Sequence, residues 1–434
     1  MKEAQPKKHS GIYMIGQSFY LTTVYYIQNN LYNSAAACAF GFLFSFIPII
    51  MMVLAVLVRI LHASPSFINS IFSFTSQYRD MFDVQSFVNT LLGYHTFGWV
   101  DFVLMLFIIW MARKFFATIM QGINRIFHYK APSRPLFNQL IIFAGELVLV
   151  ILSVIIIFIM FTAHQIFTQP ALAFLRRQNP LLLGTSSKIV INIFAYLLIF
   201  IFVTIAYRFA AGTKPRLKLC IISSTVCTAV FFIISKLINF FLNIENYNLI
   251  YGVLSNVMIL LFEVYIFFTL FLTCAQVIYV LQFFDSLLLG ELYLLPERND
   301  TAVLSIIKRV LFIKPAALMN KNDVITVKTG GIIYSKDDTT DDSYYVVNGT
   351  VVLSRSENLT YYDKGAFFGE QACILNKPRA GEAKALSDCE LIKVPAASFR
   401  ALIENDPRAA EKALLQVSDY VAKVYGRTSN FLVS

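Results

Sequence analysis

Apolar residues run almost unbroken through the first two thirds of the chain, then give way to short alternating stretches. Six long apolar runs stand out: Ala35–Leu61, Gly98–Met120, Leu140–Ala163, Ile189–Tyr207, Leu219–Leu242 and Val257–Phe283. Each is close to or above the ~20 residues a helix needs to cross a bilayer. Before them, residues 15–31 (IGQSFYLTTVYYIQNNL) mix aromatic and polar positions, which predicts an amphipathic helix at the membrane surface. Residues 62–96 carry Phe67, Ile68, Ile71 and Phe72 at helical spacing and predict an external helix against the bundle. After the last run, residues 285–319 set Arg298, Lys308, Arg309 and Lys314 among Val303, Leu304, Ile306, Ile307, Val310 and Leu311. That pattern predicts a helical linker whose basic face rests on anionic lipid. From about Asn322 the period shortens to that of strands. Tyr344–Ser354 (YYVVNGTVVLS) places two apolar runs around Asn348-Gly349 and predicts a β-hairpin. Leu391–Val394 predicts a late strand. Ser398–Glu404 and Pro407–Tyr425 predict helices, the second capped by Asp406. The boundaries that follow are 1–34, 35–284, 285–319 and 320–434: N-terminal helix, six-span α-helical membrane bundle, linker, and β domain with flanking helices.

Composition supports the bilayer. Hydrophobic residues make up 57% of the chain, charged residues 14%, and the mean hydropathy is +0.64. The net charge of +10 is uneven: residues 1–319 hold 22 Lys and Arg against 11 acids, residues 320–434 hold 14 against 15. The basic excess belongs to the apolar half, so it reads as loop charge rather than a nucleic-acid footprint. Twelve Lys and Arg lie in the segments on the N-terminal side of the membrane and four on the other, which puts both termini in the cytoplasm. The six cysteines and five histidines are dispersed and show no metal-type spacing.

Several charges fall inside the apolar runs, with Arg59 and Asp101 near the outer ends of the first two. Arg113 and Glu146 lie at one depth on the second and third runs; Lys236 and Glu263 share another depth on the fifth and sixth. An unpaired charge in hydrocarbon costs about 2.5–3.5 kcal/mol or more, so opposite charges at equal depth point to pairing. They either line a polar path or act as structural glue, and the sequence leaves both open.

The most specific stretch is Phe368–Gly381, FGEQACILNKPRAG. A Gly-Glu pair precedes an Arg by nine residues, with Pro before it. This spacing suits a short helix opening at Gly369 with a loop folding back, where backbone N–H groups and Arg379 meet a phosphate. A carboxylate beside a phosphate needs another task, such as accepting from a ribose hydroxyl. The stretch resembles the phosphate-binding cassette of cyclic-nucleotide-binding domains. The resemblance implies a β jelly roll, cyclic AMP or cyclic GMP as ligand, Arg379 on the phosphate, Glu370 on the ribose 2′-hydroxyl, and backbone contacts from Gly369 and Ala380. Gln371 and Cys373 stand where that family prefers aliphatic residues, and Gly381 where it has a small side chain. The closing helix of the family folds over the base, which implies Val417, Tyr420 or Val421 as contacts.

The membrane half is similar to the YihY/BrkB family of bacterial inner-membrane proteins over about residues 15–283. Ala39, Phe40, Ser45, Ile47 and Pro48 match its first span, Asn124 and Arg125 its Asn-Arg element, and Tyr251 and Gly252 its Tyr-Gly element. Where the last span of the family has Gly-Ala-Glu, this chain has Cys274-Ala275-Gln276. The family carries an old ribonuclease BN label. Metal-assisted phosphodiester hydrolysis needs convergent carboxylates or histidines, and no such cluster is present. The expectation is a non-enzymatic inner-membrane protein, a transporter or envelope-associated protein regulated by a cyclic nucleotide. Its partners are then the lipid bilayer and a further copy of the chain. A membrane-anchored scaffold without transport is the alternative, and the nuclease is disfavoured.

Overall fold

The computed structural model describes residues 10–55, 99–127, 186–209, 215–241, 253–295, 303–313, 315, 324–355 and 358–431. The chain divides into two compact units, residues 22–282 and residues 1–21 with 283–434.

The first unit is helical. It holds the end of α1 (Ser10–Gln28), then α2 (Leu31–Ala55), α3 (Trp99–Phe127), α4 (Ser186–Phe209), α5 (Leu217–Phe241) and α6 (Val253–Gln282). Polar side chains on these helices are tolerated because each hydroxyl donates back to a carbonyl one turn earlier. Ser224 does so to Cys220 (2.7 Å), Thr228 to Ser224 (2.8 Å) and Thr273 to Thr269 (2.7 Å). Small residues let helices approach closely. A side chain at Gly122 would meet Leu272 Cδ2 at 3.2 Å. The centre is aromatic: Phe115 packs edge-on to Phe268 at 5.9 Å, and Tyr207 stacks on Phe271 at 5.0 Å while donating to its carbonyl.

Five of the six apolar runs fall on these helices. Leu140–Ala163, with Glu146, lies outside the described residues, as do residues 62–96 and the Tyr251-Gly252 element. Two stretches among the described residues, Leu217–Ile238 and Met258–Gln282, are long and apolar enough to cross a membrane. Leu31–Ser45 and Tyr196–Arg208 are shorter apolar helices.

The second unit is a β sandwich with helices. Among the described residues its strands are β1 (Val324–Val327), β2 (Ile332–Tyr334), β3 (Ser343–Asn348), β4 (Val351–Arg355), β5 (Asn358–Tyr362), β6 (Phe367–Phe368), β7 (Glu382–Ala385) and β8 (Cys389–Val394). One sheet runs β1-β8-β3-β6 and the other β2-β7-β4-β5, with antiparallel neighbours throughout. This is the jelly-roll arrangement. Its core brings Tyr334, Tyr344, Val346, Val351, Leu353, Phe368 and Leu391 together from both sheets.

The hairpin expected at Asn348-Gly349 does not form. β3 pairs with β6 and β8, while β4 pairs with β5 and β7, so the turn carries the chain from one sheet to the other. Gly349 sits at φ +90°, and a Cβ there would meet Asp388 O at 2.6 Å and Cys389 Sγ at 2.7 Å. The turn is wedged against the entry to β8. Thr350, just past the turn, bonds elsewhere: its backbone N–H donates to Ser387 Oγ (3.0 Å) and its Oγ1 to Asp363 Oδ1 (2.8 Å).

The linker is part of this unit. Helix α7 (Phe284–Tyr293) is buried over most of its length and α8 (Val303–Phe312) follows it. Among the helices of this unit are also α9 (Glu370–Leu375), α10 (Ala396–Asn405) and α11 (Pro407–Phe431). Asp406 caps α11 as expected, accepting from Arg408 N–H at 2.9 Å. Glu291 is 1% exposed and joins α7 to α8 and α11 through Lys308 (2.6 Å) and Arg408 (3.0 Å). So Lys308 turns inward, and it is Ile306, Ile307 and Val310 that α8 exposes, not the basic face expected at lipid. The start of α1 joins the same unit: Gln17 Nε2 donates to Leu311 O (2.9 Å) and Tyr20 packs on Phe312.

Replacing Gly349 by Ala adds a Cβ at positive φ against backbone. We expect Gly349→Ala to destabilise the β sandwich by about 2–4 kcal/mol. Thermal unfolding of the purified protein in detergent checks this; an unchanged midpoint contradicts the wedged turn.

Candidate functional site

A cleft of about 270 Å³ opens beside the cassette. It is lined by Tyr334 and Asp337 near β2, Leu353 and Arg355 on β4, Gly369, Gln371, Ala372 and Leu375 at α9, and Lys377 to Gly381 on the returning loop. The cassette is built as the spacing predicts, with a turn at Gly369, a short helix, and a loop that folds back. Gly369 stands at φ +82°, and a Cβ there would lie 2.9 Å from Arg379 Nη1. Only glycine allows both the conformation and the approach. Asn376 ends the helix in the left-handed region at φ 51°.

Arg379 is not free in the cleft. It is 2% exposed, and its Nη1 donates to Gly369 O at 2.7 Å while Nη2 donates to Asp342 O. The guanidinium carbon lies over the Tyr334 ring, 4.1 Å from its centroid, a cation–π contact that desolvation strengthens. Tyr334 in turn stacks on Tyr344, and Tyr344 on Phe368 at 5.4 Å. The arginine thus ties the cassette to β2 and β3 through charge-assisted bonds and an aromatic stack.

Glu370 is 5% exposed and is not among the residues that line the cleft. Loss of water raises its pKa above the ordinary carboxylate value, and a hydrogen bond from its own backbone with the positive charges of Arg355, Lys412 and Arg379 offsets part of that rise. Ala380 is exposed on the cleft, as a backbone contributor should be. The cysteine at 373 is buried and donates to Ala396 O, so it fills the aliphatic role expected of that position. No residue of α11 is among those lining the cleft; Val417 is half-buried on that helix, and the side chains of Tyr420 and Val421 lie outside the described ones.

Residues 23–285 of the 434 match the family model "Virulence factor BrkB". The chain belongs to this family. Residues 324–406 match the model of the cyclic nucleotide-binding domain, and the BrkB-family chain carries that domain at its C-terminal end. The chain is 29% identical over 85 residues to a cyclic nucleotide-gated potassium channel of Rhizobium etli, covering 20% of this chain and 24% of the channel. It is 27% identical over 135 residues to Lysophospholipase NTE1 of Mycosarcoma maydis, covering 29% of this chain and 7% of that protein. The chain therefore spans a quarter or less of each of these relatives. Among solved structures it is similar to PKAR CBD2 bound to Sp-2Cl-cAMPS, at 23% identity, with a TM-score of 0.18 over 24% of this chain and 84% of that one.

The membrane-unit charges of the BrkB-family chain lie apart from the cleft residues in sequence and have their own surroundings. Glu263 on α6 is buried and accepts from Ser235 Oγ at 3.4 Å. Lys236 places its ammonium over the Phe232 ring, 5.7 Å from the centroid. Ser235, not Lys236, meets the carboxylate, because consecutive residues on a helix point about 100° apart. Arg113 is half-buried on α3, and Glu146 lies outside the described residues.

Two site residues escaped the sequence reading: Arg355 and Tyr293. Arg355 ends β4 and its stem passes over Gly381, where a Cβ would meet Arg355 Cγ at 2.7 Å and Ser354 O at 2.2 Å. The glycine at 381 was the available signal. Tyr293 of α7 packs edge-on to Phe367 (5.4 Å) and Phe399 (5.1 Å) and donates to Gln416 Oε1 (2.7 Å), directly behind the cassette.

The buried carboxylate gives a pH signature. The folded protein holds the Glu370 proton more tightly than the unfolded chain does, so this group's contribution to stability falls as pH rises from about 4.5 through the raised folded value. Glu370→Gln removes that slope. The variant should have the higher melting temperature at pH 7 and a flatter profile below it; a lower melting temperature at pH 7 would show the ionised carboxylate to be stabilising.

Proposed function

We propose that this protein is a multi-pass inner-membrane protein, both termini cytoplasmic, whose C-terminal domain binds cyclic AMP or cyclic GMP and thereby regulates the membrane bundle. The observation that carries this reading is the cleft. A volume of about 270 Å³ is near the lower end of small-molecule sites. Its wall combines a built cassette, two arginines and a lysine, which suit a compact anion carrying a polar sugar. Six crossing helices, as the apolar runs predict, give an even count and leave the nucleotide domain on the cytoplasmic side.

The coupling route is short. Ligand seated on the cassette acts on Phe367-Phe368-Gly369, and Tyr293 of α7 packs on Phe367. α7 follows α6, the last apolar helix, after a single residue. A shift at the cassette is therefore felt at the helix that continues the membrane bundle. Ligand changes the bundle only to the extent that it binds one bundle state better. Transport is the favoured output of that change. The expected lipid bilayer partner and self-association follow from the bundle. A scaffold that recruits partners under nucleotide control is the second reading.

The test is calorimetric titration of the full chain in detergent micelles with each nucleotide, followed by solute flux in liposomes with and without ligand. We expect saturable binding at one site per chain and a nucleotide-dependent flux. Binding without any flux difference moves the reading to the scaffold. Absence of binding to both nucleotides removes the regulated reading altogether.

A further inference from the structure

Helix α8 is two-sided, and its inner side is fully employed. Lys308 reaches inward to Glu291 (2.6 Å), Phe312 is buried against Tyr20 of α1, and the carbonyl of Leu311 accepts from Gln17 (2.9 Å). The outer side holds Ile306, Ile307 and Val310, exposed at 47%, 48% and 67%. Helix α1 repeats the arrangement. Gln17 and Leu21 are buried, and Gly16 lies so close to α8 that a Cβ there would meet Leu311 Cδ1 at 3.3 Å. Tyr13, Met14 and Ile15 are exposed. Single exposed apolar side chains are ordinary on a soluble surface. Groups of them on two helices that pack on each other mark a contact surface.

The continuity of the chain says which surface they meet. α1 runs through Asn29-Asn30 into α2, whose residues Leu31–Ser45 are an apolar helix. α7 begins one residue after α6, whose stretch Met258–Gln282 is long and apolar enough to cross a membrane. Both pieces of the nucleotide-domain unit are thus fastened, within a few residues, to apolar helices. Charge agrees with this. In the sequence Lys7 and Lys8 stand just before α1, and Lys314 just after α8, where basic residues suit anionic headgroups.

We infer that the paired helices α1 and α8 seat the nucleotide-domain unit on the cytoplasmic leaflet of the bilayer, with Ile15, Ile306, Ile307 and Val310 entering the acyl boundary. Tyr13 suits the headgroup level, where amphipathic rings collect. The inference rests on the membrane topology proposed above. It gives the lipid a role in the nucleotide domain itself. Glu291 joins α8 to α11 through Lys308 and Arg408, so a seat that fixes α8 also fixes the base of the helix that follows the sandwich.

The experiment places a nitroxide spin label on one introduced cysteine of the full chain, in vesicles of phosphatidylethanolamine and phosphatidylglycerol in equal parts. Collision with oxygen, which concentrates in acyl chains, is compared with collision with a water-soluble nickel chelate. The variants are Ile15→Cys, Ile306→Cys and Val310→Cys. Tyr361→Cys on β5 and Phe262→Cys on α6, both at exposed residues, are the references. The natural cysteines are buried or half-buried, and the unsubstituted chain, treated with the same label, supplies the background to subtract. We expect oxygen to dominate at Ile15, Ile306 and Val310, at depths of about 5–10 Å into the headgroup and acyl boundary, and nickel to dominate at Tyr361. Melting temperatures of the labelled variants identify misfolding. Nickel access at the three test positions equal to that at Tyr361, with oxygen dominant at Phe262, overturns the lipid seat and leaves the topology standing. Poor access of both reagents at Ile306 and Val310 assigns the face to protein, to a second copy when spin–spin broadening accompanies it, and also overturns the seat. Nickel dominant at Phe262 overturns the topology and the inference together.

Discussion

The guanidinium of Arg379 is the point on which the nucleotide domain turns. It is buried and donates to two main-chain carbonyls on separate segments, one at the cassette turn and one before β3. A buried cation is tolerable only when its donors are satisfied and its faces are covered. Both conditions hold here, through the carbonyls of Gly369 and Asp342 and the ring of Tyr334. The consequences spread outward. Gly369 must be glycine to let Nη1 approach, the aromatic stack of Tyr334, Tyr344 and Phe368 must stay aligned, and the returning loop is fixed at both ends. A residue expected to meet ligand is thereby a member of the protein's own frame, and the cleft beside it inherits its shape.

The same domain is larger than a β sandwich. Its helices α7 and α8 are held by Glu291, a carboxylate at 1% exposure that Lys308 and Arg408 neutralise. Tyr293 fills the space behind Phe367 and Phe399. What composition suggests is a tether is, in three dimensions, a wall of the domain.

Much of this was readable in the sequence, for identifiable reasons. Long apolar runs overwhelm every other signal, so five of the six expected segments coincide with helices. The cassette was legible because Gly369, Glu370 and Arg379 stand at a spacing tied to one local geometry. Sheet assignment was not. Asn348-Gly349 is a turn, but whether two strands pair or part at a turn depends on residues far along the chain, here Asp388 and Cys389. Side-chain direction was equally hidden. Arg379 stands near a glycine in sequence, but only the path of the backbone decides that its donors go to the carbonyls of Gly369 and Asp342. The inward turn of Lys308 followed from Glu291, an acid seventeen residues earlier in a segment that seemed to face lipid.

The nucleotide-domain unit is discontinuous: residues 1–21 belong with 283–434, and the Gln17–Leu311 hydrogen bond joins positions 294 apart in sequence. Synthesis therefore makes the first piece of this unit long before the second. At roughly 5–20 residues per second, the opening segment of α1 waits on the order of 15–60 seconds for α8 to emerge. During that interval the apolar helices of the other unit are produced, while Gln17 and Tyr20 remain without Leu311 and Phe312, their final partners. Closing the unit is then a late step of biogenesis, one that takes place only after α6 has left the ribosome.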